Sequence, residues 1–317
     1  MFNRCLIRGA FLGLILTMPS FAVAQSGDAP GGAGPIVTAD WLLEHHDEVT
    51  VIHASRQPAN YDETGFLADA PLVTLGEFMT ERPGAEGNIR YLMPPVADFE
   101  AVMQGLGVDA GDHVVIAPAG NAVYTDATVA SRLYWQLRYY GHDAVSILDG
   151  GVAAWSQAGG ETSATPLEPA GRGSFAGDSP REGLLATAED VEAVIAGDES
   201  ATLVDNRPLQ HFTGLAGRDY VAGRGHLPEA QPLPFNLFVQ PRDGIVYWRS
   251  PDQVANIVAA MLPRVDGPVI DYCNSGHVSS LAWFAMSEVG GMNDVALYDG
   301  SLHEWTLDGD RPLVIGR

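Results

Sequence analysis

The chain of 317 residues contains no lysine and only two cysteines, Cys5 and Cys273. All 17 basic residues are arginines, set against 40 Asp and Glu, for a net charge of −23. Such an acidic surface argues against nucleic acid and anionic membrane as partners, and its plainest consequence is solubility. It also sets a condition on any site for an anion, which must supply its own local positive potential. Long apolar runs are lacking too. The run at residues 9–21 is too short to span a bilayer, and no stop-transfer pattern follows it.

That run has Arg4 and Arg8 ahead of it and Ala22-Val23-Ala24, a small-x-small cleavage pattern, behind it. Residues 1–24 therefore read as a secretory signal peptide, and no membrane insertion is expected after cleavage. Cys5 leaves with the signal, so Cys273 becomes the only thiol. The expected location is periplasmic or secreted. Disulfides form in such compartments, so an unpaired thiol there is either well buried or kept for chemistry.

About 290 residues remain after cleavage, enough for two domains that each bury a core. Residues 25–35, rich in Gly, Pro and Ala, read as a flexible tail. Residues 160–183 are rich in chain breakers with few apolar anchors and read as a linker. The expected domains are thus 36–159 and 184–317. Three pairs of segments recur in the same order on the two sides of the linker. Val37-Thr-Ala-Asp-Trp and Ala186-Thr-Ala-Glu-Asp both resemble an N-capped helix start. Val49-Thr-Val-Ile-His53 and Ala201-Thr-Leu-Val-Asp205 are short β-branched runs. Val145-Ser-Ile-Leu-Asp-Gly-Gly and Val295-Ala-Leu-Tyr-Asp-Gly-Ser each lead to a tryptophan, Trp155 and Trp305, expected to be core anchors. Three pairs in register indicate an internal repeat.

Within each half, short apolar strands alternate with helical segments. His113–Ala117 precedes a long amphipathic pattern over residues 126–140, and Pro268–Tyr272 precedes a helical pattern over 278–289. This alternation predicts α/β architecture, a mainly parallel sheet with helices on both faces. Ligands of such sheets sit at the carboxyl ends of strands. Cys273 falls at such an end, and the loop Asn274-Ser275-Gly276-His277-Val278-Ser279 follows it. Backbone N–H groups of a loop wrapped around the sulfur favour a thiolate, so Cys273 is the candidate nucleophile. His45-His46 and His303-Glu304 lack the spacing of a metal site.

Taken together, the repeat, the Asp-Gly…Glu-Trp ending and the Tyr-Cys-Asn-Ser-Gly-His loop resemble the two-domain rhodaneses, the thiosulfate or 3-mercaptopyruvate sulfurtransferases. The resemblance covers nearly all of the chain after residue 24. It implies two tandem rhodanese-like domains, the first catalytically inactive. Consistent with that, the loop at 118–126 has no cysteine. Val204-Asp205-Asn206-Arg207 resembles the family's Asp-x-Arg, which implies substrate binding by Arg207. Gly225-His-Leu-Pro-Glu229-Ala resembles its Gly-His-Ile-Pro-Gly-Ala turn, with Glu229 in place of a glycine. Where some members carry a second anion-binding arginine, this chain has Thr213. Arg218, Arg224 and Arg249 are the candidates to replace it, Arg224 preferred because it adjoins the His-Leu-Pro turn.

The resemblance implies that the Cys273 thiolate takes the outer sulfur of a small anionic donor, forming a persulfide, and passes it to a nucleophilic acceptor. Cyanide, a small thiol or a thiol protein could accept it, and no cofactor is required. Asn274, Ser275, Gly276, His277, Val278 and Ser279 would surround the sulfur. A cysteine phosphatase uses a similar loop but needs an arginine six residues after the cysteine, where Ser279 stands. A non-enzymatic sulfur carrier or thiol sensor stays open. The neutral loop favours 3-mercaptopyruvate. The Cys-Asn-Ser-Gly-His form resembles exported thiosulfate sulfurtransferases, and thiosulfate is the expected donor. His277, if protonated, would be the loop's only cation, with an unperturbed pKa near ~6.5.

Overall fold

The computed structural model describes residues 32–84 and 87–316. The expected signal peptide at residues 1–24 lies outside the described residues, as does most of the 25–35 tail. Two five-stranded parallel sheets carry the fold. In the first, the strands run in the order Ile36–Val37, Val145–Leu148, Val114–Ala117, Thr50–Ser55, Leu72–Thr74. In the second the order is Leu185–Ala186, Val295–Tyr298, Val269–Tyr272, Thr202–Asp205, Gln231–Pro232. Counted along each half, both sheets read first, fifth, fourth, second, third. Four of the six interior strands, Val114–Ala117, Val145–Leu148, Thr202–Asp205 and Val269–Tyr272, are buried along their whole length, as expected of parallel strands covered on both faces.

Local chemistry explains where the helices start. Thr38 accepts from Trp41 N at 3.1 Å and opens Ala39–His45. Thr187 and Asp190 form a reciprocal capping box at Ala188–Ala196. Trp155 and Trp305 are both buried, and each indole N–H donates to a backbone carbonyl, of Glu161 and of Pro312.

Two expectations require correction. The helical pattern at 126–140 is not amphipathic in its setting. A wider π-helical turn, Val123–Ala127, leads into Thr128–Tyr139, of whose 12 residues all but Arg138 are buried. The helix is enclosed between its own sheet and the second half, where Tyr134 packs edge-on against Phe284 at 4.7 Å. Of its polar residues, Thr128 and Arg132 reach the second half, at His277 and Gly276, while Gln136 donates to Phe78 O of the first. The 160–183 stretch is not short of anchors either. Phe175 is fully buried against Phe99, and Thr162–Ser163 pairs antiparallel with Phe66–Leu67. The stretch lies along the first half.

Candidate active site

Cys273 directly follows the Val269–Tyr272 strand, and the helix Ser279–Trp283 begins six residues later. The sulfur accepts from the Ser279 hydroxyl at 3.3 Å and from Ser275 N at 3.5 Å. The loop is tied from beneath. Cys273 N and Gly276 N both donate to Ser301 Oγ, at 3.1 and 3.0 Å, and that hydroxyl donates to Tyr298 O at 2.7 Å. Ser301 holds this place at φ 49, a left-handed conformation for a non-glycine residue. Sequence reasoning overlooked it. The available signal was Asp-Gly-Ser in the second half against Asp-Gly-Gly in the first.

Cys273 is 1% exposed, yet its sulfur faces a cavity of about 360 Å³. Asn274, Ser275, His277 and Val278 share the lining. Tyr220 approaches the Ser275 hydroxyl at 3.4 Å and packs against Tyr91 with ring centroids 5.3 Å apart. Tyr91 comes from the first half, sits at φ 66, a strained conformation for a non-glycine residue, and also lines the cavity. Leu75, Met79 and Val278 make the apolar part of the wall. Gly276, at φ +68, contributes backbone alone, because a Cβ there would stand 2.6 Å from Asp299 Oδ1.

The cations differ from those expected. Arg207 is 1% exposed and lies outside the cavity lining. Its guanidinium forks onto Asp205 at 2.5–3.1 Å and donates to Gly225 O at 2.6 Å. Those bonds commit it to joining a strand end to the His-Leu-Pro turn, so its assignment to substrate is corrected. Arg224 is also outside the lining, with a 3.4 Å contact to Leu215 O. The arginines that do line the cavity are Arg218, one of the weighed candidates, and Arg56, which was missed. Arg56 directly follows the Thr50–Ser55 strand. It thus occupies, in the first half, the strand-end position that ligand sites favour.

His277 also requires correction. It is buried, with Nε2 2.9 Å from Thr128 Oγ1. The Thr128 hydroxyl spends its one proton on Tyr124 O at 2.6 Å, so it accepts from a protonated Nε2. Burial, reinforced by Arg56 and Arg132, lowers the imidazole to a pKa of about 3. The ring is neutral at ordinary pH and brings no charge to the loop.

The corresponding loop of the first half is filled from within. Asn121 N and Ala122 N donate to Asp126 Oδ2 at 3.1 and 2.8 Å. The chain's own buried carboxylate occupies the amides that a substrate anion would need, and no sulfur stands there.

A buried thiol cradled by a hydroxyl and a backbone N–H at a strand end, in a cavity that two arginines also line, has the parts of a cysteine-dependent group-transfer site. Comparison with known proteins gives the family. A rhodanese-like domain is matched by residues 187–308. A putative thiosulfate sulfurtransferase of Haloferax volcanii is 30% identical over 286 residues, covering 85% of this chain and 92% of that one. The 3-mercaptopyruvate sulfurtransferase of Escherichia coli K12 is 28% identical over 290 residues, covering 87% and 96%. The crystal structure of SseA from Escherichia coli, a 3-mercaptopyruvate sulfotransferase, superposes with a TM-score of 0.69 at 25% identity, covering 85% of this chain and 99% of that one. The chain belongs to the rhodanese sulfurtransferase family.

Proposed function

We propose that the protein is a thiosulfate sulfurtransferase in which Cys273 carries the transferred sulfur as a persulfide. The thiolate attacks the outer sulfur of thiosulfate, the S–S bond breaks, and sulfite leaves with the bonding pair. Cyanide or a thiol then attacks the outer persulfide sulfur and restores the thiolate. The Ser275 N–H and Ser279 hydroxyl stabilise negative charge on sulfur in both steps. The observation that carries the choice of donor is the pair Arg56 and Arg218. They line the cavity from opposite halves, in a chain of net charge −23. Among the described residues neither is engaged in an ion pair, which suits a dianion.

A second reading, 3-mercaptopyruvate as donor, is favoured by the apolar wall of Leu75, Met79 and Val278 and by the neutral His277. Comparison of kcat/KM for the two donors decides between them. A much higher value for 3-mercaptopyruvate overturns the thiosulfate assignment and leaves the persulfide intact. Export by a cleaved leader at 1–24 belongs to the same proposal, and the mass of the mature chain after cell fractionation tests it.

A further inference from the structure

We propose that Arg132, from the half without a cysteine, is a positioning residue for the Cys273 loop. The proposal rests on the reading of Cys273 as the sulfur-accepting nucleophile. Arg132 lies on the Thr128–Tyr139 helix, which starts where the inactive loop ends. Asp126, gathering the amides of Asn121 and Ala122, pins that start. Thr128 and Arg132, four residues apart, project from the same helix face. That face meets the catalytic loop. Thr128 Oγ1 holds His277 Nε2 at 2.9 Å, and one turn later Arg132 Nη1 donates to Gly276 O at 3.3 Å.

The guanidinium also lies 2.6 Å from Asp299 Oδ1, with side-chain exposures of 0% and 6% for the pair. Asp299 Oδ2 in turn accepts from Met93 N, again of the first half, at 2.9 Å. Both peptide groups flanking Gly276 are therefore fixed. The N–H of one is held by Ser301 and the carbonyl of the other by Arg132. Those peptides belong to the loop that aims the Ser275 N–H at the sulfur.

A buried ion pair is a poor source of net stability, since an apolar pair of equal volume often serves as well. What it supplies is a defined geometry, and here the geometry it defines is the turn around Gly276. Arg132 does not line the cavity, so its effect falls on the chemical step and not on donor binding.

The test uses the full chain with Arg132→Met and Arg132→Lys. It measures kcat and KM for thiosulfate, and separately the rate of Cys273 alkylation by iodoacetamide without donor. Arg132→Met is expected to lower kcat about 100-fold, the scale of a small misplacement of reacting groups, with KM within about twofold of the parent. Alkylation should slow in parallel. Arg132→Lys keeps the charge beside Asp299 but lacks the planar fork, and should recover kcat only in part, to about tenfold below the parent. A folded Arg132→Met with parental kcat and alkylation rate, whatever its unfolding midpoint, overturns the proposal. So does a loss confined to KM. Should Arg132→Met fail to fold, Arg132→Lys decides, and a parental kcat there overturns the proposal. If the parent takes no sulfur from thiosulfate, the donor reading fails and the alkylation rates alone judge Arg132.

Discussion

At the scale of single residues, the chemistry converges on one sulfur and the few groups that touch it. Cys273→Ser should abolish both turnover and the gain of one sulfur atom seen by intact-mass measurement after thiosulfate. Full activity in that variant would remove the mechanism. Arg56→Ala and Arg218→Ala should each raise the KM for thiosulfate about 10- to 100-fold, the worth of a charge-assisted hydrogen bond to an anion. The neutral state of His277 makes a prediction of opposite sense to the one its sequence position suggests. With a pKa of about 3, the ring does not change charge near neutrality. Its own titration should therefore leave no limb in the kcat/KM profile between about pH 5.5 and 8. A limb in that range that disappears in His277→Gln would show that the imidazole is protonated in the working enzyme. Glu229, where the family has glycine, sits at φ 60. A side chain in that region is strained by roughly 1–2 kcal/mol, partly offset by the greater freedom of glycine in the unfolded chain. Glu229→Gly should therefore stabilise the fold by up to about 1 kcal/mol in urea unfolding.

The elements show how far pattern alone reaches. The central strand of each sheet was legible because β-branched runs between breakers have few alternatives, and the runs at 113–117 and 268–272 match Val114–Ala117 and Val269–Tyr272 within a residue. Both helix starts with a threonine cap were legible for a local reason, the cap being read from three or four adjacent residues. The setting of Thr128–Tyr139 was not. Its Ser131, Arg132 and Gln136 look like a solvated face, but each is buried, Arg132 against Gly276 of the second half and Gln136 against Phe78 O of the first. The same helix supplies the loop's supports, Thr128 and Arg132. Expressed alone from about residue 184, the second half should therefore lose most of its turnover even where it folds. Wild-type kinetics from that fragment would show that the first half is dispensable.

For the molecule as a whole, acid is the sensitive side. Burial lowers His53 and His113 to a pKa of about 4 and His277 to about 3. The folded state keeps these rings neutral while the unfolded chain binds protons below about pH 6.5, so the stability they confer is present above that value and is lost as pH falls toward 4. Each contributes a slope of about 1.4 kcal/mol per pH unit in that window. Asp271, raised well above its usual range by burial and next by the Cys273 sulfur, acts with the opposite sign. Asp126 and Asp149, also raised by burial, join it, but burial lowers His142, His211 and His303 as well, so three groups against six leave the net direction unchanged. The urea midpoint should fall steeply between about pH 6.5 and 4.5, and a midpoint flat over that range would show that these rings are not held neutral. The sequence by itself determined the α/β class, the recurrence of its halves and the one cysteine placed to react, because strand periodicity, caps and a strand-end loop are written in neighbouring residues. Tertiary structure alone decided which arginines line the cavity with Cys273, that His277 is uncharged, and that the first half grips the Cys273 loop. Those properties depend on burial and on groups 100 or more residues apart, such as Arg132 and Gly276, and desolvation and long-range contact exist only once the two halves are packed together.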